Sequence, residues 1–190
     1  MIRPRRSTER RVGARTRRRQ ILVYTGGLRT EPAYLTGLIR HRGRLGAAVT
    51  VKSKGLDPRQ LVHHAAAFVR RSQELFDEVW CVVDVDEFDV GAAVTEARRA
   101  GVHLAVSNPC FELWLLLHHA ECRAHCAGYE DVVVRLKKHV PAYDKARLDF
   151  ADYAPGIGDA TRRAKELGGD HTRNPSTGMW RLVQTFEEQT

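Results

Sequence analysis

The chain has 190 residues, which suits one globular domain with at most a small appendage. Hydrophobic residues make up 43% and charged residues 28%, so the chain as a whole does not belong to the intrinsically disordered class. No apolar run approaches the roughly 18 residues of a membrane span. The first 19 residues hold no apolar stretch, so we expect no secretory signal and a cytoplasmic protein with reduced thiols.

The formal net charge of +8 comes from the N-terminal segment. Residues 1–19 hold nine arginines and one glutamate, whereas acidic and basic side chains balance in residues 20–190. Like charges with nothing to bury predict a disordered arm over 1–19. Such an arm can bind phosphate backbones through counterion release. The alternatives are a solubilising tail, or an N-terminus that is too long because the start codon was wrongly assigned. The candidate nucleic-acid contacts are Arg15, Arg17, Arg18 and Arg19.

Residues 20–127 alternate between strand and helix patterns. Short apolar runs predict buried strands at Ile21–Tyr24, Ala47–Val51, Val79–Val83 and Val102–Val106. Helices are predicted to follow them, with starts at Thr30, at Asp57, at Val90 and at Cys110. This order predicts an α/β fold in which helices cover both faces of a mostly parallel sheet.

The alternation stops at about residue 128. Three further helix patterns, Tyr129–His139, Gly158–Leu167 and Ser176–Glu188, predict a helical extension that packs on the sheet. We therefore expect one domain over 20–190 and not two.

Asp84 and Asp86 directly follow the most apolar predicted strand. Residues two apart in a strand point to the same side, so both carboxylates can address one cation. Hard ions such as Mg²⁺ take one or two carboxylates and complete their shell with water and phosphate. The alternative is an ordinary turn in which the two acids are solvated.

Two glutamates are candidates for the same edge of the sheet, where open α/β sheets bind their ligands. Glu31 lies in the first turn after the first strand, where it is either a metal ligand or general base, or only a favourable charge on a helix dipole. Glu112 lies among core residues, so its carboxylate either faces the crevice or pairs with a base.

His118, Cys122 and Cys126 are residue types that bind zinc, and they fall on one face if a helix continues through them. Three ligands along one helix cannot surround a metal without a fourth, so we favour buried thiols and expect no zinc. Gly26-Gly27 is not followed by the Gly-Lys-Ser/Thr of a Walker loop, so no bound nucleotide is expected.

Five segments in this order resemble motifs of the RloB-like family. Gly27–Tyr34 is similar to the family's EGxxTEpxY opening, and Ser107–His118 is similar to its SNPcFElWlllH signature, the most specific of the set. The other three are a strand ending in DxD at Val79–Asp86, the pair Tyr143 and Lys145, and the run Asn174–Thr177. The resemblance covers about residues 20–188 and leaves only the arm outside.

RloB-like proteins include the second component of the AbiL abortive-infection system and are regarded as Toprim-like. The resemblance therefore implies phosphodiester chemistry on nucleic acid with Mg²⁺ or Mn²⁺, in a phage-defence or restriction-associated system. It implies a partner ATPase of the AAA/ABC type, metal binding by Asp84 and Asp86, and a phosphate contact by Lys145. The sequence does not determine whether the chain forms a homo-oligomer.

One departure from the family pattern concerns the proton-transferring glutamate of Toprim proteins. Aligning Gly27 with the family glycine puts Gly26, which has no side chain, at that position. Either Glu31 or Glu112 takes over the role, or the metal site persists without efficient cleavage, or the chain is a degenerate binding or regulatory subunit. We predict a Toprim-like nuclease subunit with Glu31, Glu112 and Lys145 as catalytic residues, and keep the degenerate subunit as the alternative.

Overall fold

The computed structural model describes residues 18–43, 46–85 and 90–187. Within these ranges the chain forms five strands and seven α-helices. The strands are β1 (Arg19–Thr25), β2 (Ala47–Ser53), β3 (Glu78–Asp84), β4 (His103–Asn108) and β5 (Ser176–Thr177). The helices are α1 (Thr30–Arg42), α2 (Pro58–Arg71), α3 (Val90–Ala100), α4 (Glu112–Leu117), α5 (Tyr129–Leu136), α6 (Ile157–Leu167) and α7 (Met179–Glu187). Among these helices, none is long and apolar enough to cross a bilayer.

The strands form one sheet in the order β2–β1–β3–β4–β5. β1 pairs in parallel with both β2 and β3, and β3 pairs in parallel with β4. Only β5 is antiparallel, with Ser107 opposite Thr177 and Asn108 opposite Ser176. The predicted α/β fold with a mostly parallel sheet is confirmed, and the carboxyl ends of β1, β3 and β4 meet at one edge.

Helices cover both faces of the sheet, as the continuous apolar runs in β1 and β3 predict. In β1, Ile21 and Val23 belong to a buried cluster with α1 and with α4 to α7, whereas Leu22 and Tyr24 belong to a second cluster with α2 and α3. Successive strand side chains point to opposite faces, so a strand without polar residues needs cover on both. Each fully buried Leu, Ile or Val side chain contributes about 1.5–3 kcal/mol, which fixes the position of the strands between the two helix layers.

The two predicted helix caps differ in the structure. Asp57 does cap α2, since its carboxylate accepts a hydrogen bond from the Gln60 amide at 2.9 Å. Thr30 is not a cap, because Arg29 holds that position and makes no side-chain cap bond. The Thr30 hydroxyl instead donates to the Lys145 carbonyl at 3.1 Å, across 115 residues of sequence. This bond ties the start of α1 to a loop of the helical extension.

The helical extension is confirmed, although its last helix begins later than predicted. Ser176 and Thr177 form β5, and α7 begins at Met179. The amide of Gly178 donates to the Val106 carbonyl at 2.8 Å, which completes the short antiparallel pairing beside β4. A two-residue strand is too short to show a period in the sequence, so tertiary pairing decided its conformation.

Two other boundaries differ from the sequence patterns. α4 begins at Glu112 instead of Cys110 and ends at Leu117. Arg19 is already part of β1, so the predicted end of a disordered arm at residue 19 is wrong by at least one residue. The physical reason is the Arg19 guanidinium, which forms an ion pair with Glu78 at the start of the neighbouring strand.

Candidate active site

A cavity of about 520 Å³ opens at the carboxyl edge of the parallel sheet, where β1 and β3 end. Its wall contains three of the predicted site residues, Glu31, Asp84 and Lys145. Gly26 and Gly27 form the part of the wall that follows β1. The fold therefore brings together acids and a base that lie far apart in sequence.

Glu31 lies in the first turn of α1 and is only 5% exposed. Its carboxylate turns back and accepts a hydrogen bond from the Gly27 amide at 3.0 Å. A Cβ atom at residue 27 would overlap this carboxylate, so only glycine leaves room for it. Burial raises the pKa of Glu31, and the nearby charge of Glu112 raises it further, while Lys145 acts in the opposite direction.

Asp84 is the last residue of β3 and lines the same cavity as Gly26. Its Oδ1 atom is buried and has no hydrogen-bond partner among the described residues, although Asp84 as a whole is partly exposed. Burial raises the pKa of Asp84 well above its usual range, and the charges of Glu31 and Glu112 add to this shift. Asp86, the second predicted metal ligand, lies outside the described residues.

Glu112 is the first residue of α4 and is 1% exposed. The Tyr143 hydroxyl donates to its Oε1 at 2.8 Å, and the Lys145 Nζ lies 3.9 Å from the same atom. The other oxygen, Oε2, is buried and has no hydrogen-bond partner in the described part of the chain. The sequence left open whether Glu112 faces the crevice or pairs with a base. The structure shows it paired with Lys145, which lines the cavity.

Lys145 connects the buried carboxylates with the cavity. Its side chain is 56% exposed, and its Nζ lies 4.7 Å from the centre of the Tyr129 ring. Burial alone would lower the pKa of Lys145, but the charge of Glu112, followed by smaller effects that include Glu31, outweighs it and raises the pKa. Lys145 therefore carries a positive charge at neutral pH in the cavity wall.

The donor atoms of this site fit a hard cation. Within 18–43, 46–85 and 90–187, Asp84 Oδ1 and Glu112 Oε2 are buried carboxylate oxygens without hydrogen-bond partners, and such atoms need a proton or a cation nearby. Mg²⁺ accepts a site with one or two carboxylates because water and phosphate oxygens complete its shell. Across 18–43, 46–85 and 90–187, no three His, Cys, Asp or Glu side chains are placed to hold a metal together. A metal would therefore depend on Asp84, on Asp86, and on water or substrate.

Gly26 has room for a side chain in the structure. A Cβ atom built there would lie 3.5 Å from the Val82 carbonyl oxygen and 3.8 Å from the Leu56 carbonyl oxygen, which are ordinary contacts. Its backbone is not in the left-handed region that favours glycine. The glutamate expected from the resemblance is therefore absent at Gly26 for no steric reason.

The cysteine and histidine group does not form the helical face considered for zinc. α4 ends at Leu117, and His118 is bonded to the Tyr34 hydroxyl and the Trp114 carbonyl, each at 2.9 Å. Cys122 and Cys126 are buried, with their sulfur atoms 3.4 Å apart. The two thiols pack beside each other, whereas both ring nitrogens of His118 are hydrogen-bonded to Tyr34 and Trp114.

Of the four arginines predicted to contact nucleic acid, the structure describes only Arg18 and Arg19. Arg15 and Arg17 lie outside the described residues. Arg18 and Arg19 lie at the amino end of β1, whereas the cavity is at its carboxyl end. Any contact that Arg18 or Arg19 makes with nucleic acid is therefore at the amino end of β1, away from the cavity at its carboxyl end.

Two aromatic side chains belong to the site although sequence reasoning gave them no role there. Tyr143 holds Glu112, and Tyr129 lies under Lys145. For Tyr143 the available signal was its spacing from Lys145 in one of the family-like segments. Tyr129 begins α5, and no sequence pattern indicated that its ring would reach a lysine 16 residues later.

A family model described as RloB-like protein matches residues 21–186. Neither a curated protein nor a solved structure matches the chain.

Proposed function

The chain belongs to the RloB-like protein family, and from that premise we propose that it hydrolyses phosphodiester bonds of nucleic acid with a divalent metal ion. One observation carries this proposal: Glu31, Asp84 and Lys145 meet in a single cavity at the carboxyl edge of the sheet. Open α/β sheets bind their ligands at this edge. A cavity that combines buried carboxylates with a lysine has the groups needed for a metal ion and a phosphate.

Asp84 and Asp86 are the residues proposed to hold Mg²⁺ or Mn²⁺. The bound ion supplies charge neutralisation on the phosphate and lowers the pKa of a coordinated water. Asp84 is suited to this role because its Oδ1 is buried and no other described residue bonds to it. Its carboxylate is then ionised at neutral pH, since a neighbouring cation favours the charged form.

Glu31 is proposed to transfer the proton in place of the missing glutamate at Gly26. The Gly27 amide fixes its Oε1 at 3.0 Å, so the carboxyl group has a defined position in the cavity wall. Its raised pKa lets it hold a proton closer to neutral pH than an exposed glutamate does. Both properties suit general acid–base catalysis, which contributes about 10²–10⁴-fold to rate.

Lys145 is proposed to bind the phosphate, and Glu112 to position Lys145. Glu112 is held by Tyr143 and lies 3.9 Å from the Lys145 Nζ, which restricts where the ammonium group can go. A charge fixed before the substrate arrives needs no reorganisation when charge develops on the phosphate.

Cleavage of an end-labelled oligonucleotide in Mg²⁺, in Mn²⁺ and in EDTA tests this function. We expect the wild type to cleave only with metal, Asp84→Asn to abolish cleavage, and Glu31→Gln to slow it about 100-fold or more. Asp152→Asn is the matched control, because Asp152 is an exposed acid outside the cavity wall. Cleavage in EDTA, or equal rates for wild type and Asp84→Asn, would show that this site is not a metal-dependent nuclease.

A second candidate function is a non-catalytic subunit that binds nucleic acid or an ATPase. The observation that favours it is Gly26, which lines the cavity without a side chain. Gly26→Glu distinguishes the two functions, because a Cβ atom at this position meets only ordinary contacts. If Glu31 has taken over proton transfer, the substitution changes the rate by less than about tenfold. If the chain is degenerate, an inactive wild type gains cleavage.

We further propose a cytoplasmic setting with an AAA/ABC-type ATPase partner in a prokaryotic phage-defence system. The resemblance to RloB-like proteins supports this setting. Co-expression with an AAA/ABC-type ATPase from the same genome and affinity purification test the partnership. A recovered complex whose cleavage depends on ATP is the expected result.

A further inference from the structure

A second cavity, also of about 520 Å³, lies beside the outer edge of β4. β5 pairs only with Ser107 and Asn108, so in the part of the chain that the structure describes no strand covers the first half of β4. The cavity is formed there by β4, the end of α3, the start of α7 and the loop that follows α6. None of its wall residues belongs to the cavity of Glu31 and Asp84.

Four basic side chains from separate elements point to this second cavity: Arg98, His103, His171 and Arg181. Its wall contains no acidic residue among those described. The ion pairs found in the described ranges involve none of these four side chains. The guanidinium groups of Arg98 and Arg181 therefore have no carboxylate partner in an ion pair within that part of the protein.

One arginine is held in place by packing. The Arg181 guanidinium lies 5.1 Å from the centre of the Trp180 ring. A Cβ atom at Gly169 would lie 2.8 Å from its Nη2, so a glycine leaves the space that the guanidinium occupies. A guanidinium that is already restricted loses less entropy when it donates a pair of hydrogen bonds to a phosphate.

The cavity also contains an aromatic stack. His103 is exposed and stacks on Trp80, with ring centres 4.8 Å apart and an interplanar angle of 24°. Trp80 is itself 5% exposed and is fixed by a hydrogen bond from its Nε1 to Glu78 Oε2 at 2.8 Å. An exposed ring on a rigid support is the kind of platform on which unpaired bases stack.

The cavity and the arginine-rich arm lie toward the same end of the sheet. Arg19 begins β1 and His103 begins β4, and the strands between them are parallel. β4 is two strands from β1, which is about 10 Å across the sheet at the usual strand spacing. His103 pairs with Trp80 and Trp80 with Val23, so His103 also lies four residues further along the strands than Arg19, about 13 Å at the usual rise per residue. A nucleic acid strand held in the cavity would therefore have to extend over several nucleotides to reach Arg19.

We propose that this cavity is a separate binding site for the sugar–phosphate backbone of an unpaired nucleic acid strand. Arg98 and Arg181 contact phosphates, and His103 supports a base. This site differs from the hydrolytic cavity because it binds without metal and lies toward the amino end of β4. It rests on the proposed function only for the class of ligand, a nucleic acid. An acidic protein segment would use the two guanidinium groups but not the aromatic stack, which is why we favour nucleic acid.

The test measures binding of the full chain to fluorescent single-stranded oligonucleotides, one of DNA and one of RNA, in EDTA over a range of salt concentrations. The variant Arg98→Ala/Arg181→Ala is compared with Arg40→Ala/Lys138→Ala, which removes the same charge from exposed positions of α1 and the loop after α5. His103→Ala tests the stack separately. Thermal unfolding of each variant confirms that it is folded.

We expect the Arg98/Arg181 variant to bind roughly tenfold more weakly at physiological salt. Its plot of log affinity against log salt should be shallower by roughly 1.4, because each lost phosphate contact on a single strand removes about 0.7. His103→Ala should weaken binding by roughly fivefold or more. The DNA and RNA arms show which backbone is preferred.

Binding is measured in EDTA, where the proposed hydrolytic cavity has no metal ion, so a failure of the nuclease proposal leaves this result unaffected. Affinity and salt slope equal to those of the Arg40/Lys138 control would overturn the binding site. Weaker binding to a polyglutamate peptide, with oligonucleotide binding unchanged, would also overturn it and assign the cavity to an acidic protein partner.

Discussion

Replacing Tyr143 by phenylalanine tests whether a hydrogen bond between distant loops holds the candidate site together. The substitution removes one hydroxyl, which donates to the buried Glu112 Oε1 at 2.8 Å. Afterwards the nearest partner of this oxygen is Lys145 at 3.9 Å, and Oε2 already has none. A hydrogen bond to a charged group contributes about 1.5–3 kcal/mol, so we expect the free energy of unfolding to fall by about 2 kcal/mol. For a chain of this size that corresponds to a melting temperature about 4–8 °C lower.

Urea denaturation and calorimetry measure this loss, and two controls isolate it. Tyr24 is also buried, but its hydroxyl makes no hydrogen bond within the described ranges, so Tyr24→Phe should change stability by less than about 0.5 kcal/mol. In a Glu112→Gln background, Tyr143→Phe should cost only about 0.5–1.5 kcal/mol, as for a neutral hydrogen bond. If the loss is the same in both backgrounds, the charge of Glu112 is not what the hydroxyl stabilises.

Two further predictions concern the cavity itself. Gly27→Ala places a methyl group where the Glu31 carboxylate lies, so metal-dependent cleavage should fall roughly 100-fold, whereas Gly158→Ala, whose methyl group meets no neighbour, should cleave like wild type. In metal-free buffer the raised pKa of Asp84, caused first by burial, means that the folded state binds its proton more tightly than the unfolded state does. Its stabilising contribution is thus complete below the unfolded value of about 3.9 and is lost as pH rises through the folded pKa. Denaturation at stepped pH should show Asp84→Asn gaining stability relative to wild type as pH increases, and a constant difference would contradict the assigned environment.

The sequence by itself determined the order of the main elements, because their signals are local. The apolar runs at Ile21–Tyr24 and Val79–Val83 need cover on both faces wherever they pack, and they became central strands. Asp57 has the side chain to cap a helix without help from distant residues, and α3 begins and ends at Val90 and Ala100 as its pattern predicts. The position of Asp84 at the end of a buried strand likewise followed from its neighbours in the chain.

Only the tertiary structure decided how distant polar groups are paired. Thr30 reads as a helix cap, yet its hydroxyl bonds to the Lys145 carbonyl, because packing of the extension against α1 offered that partner. β5 is too short for any periodicity, and its conformation comes from pairing with β4. The sequence places Glu112 among core residues but does not show that Tyr143 and Lys145 reach it. The grouping of Arg98 with Arg181 is likewise set by the packing of α3 and α7 around β4. These contacts join side chains from separate elements, so their geometry depends on the assembled core and not on local pattern.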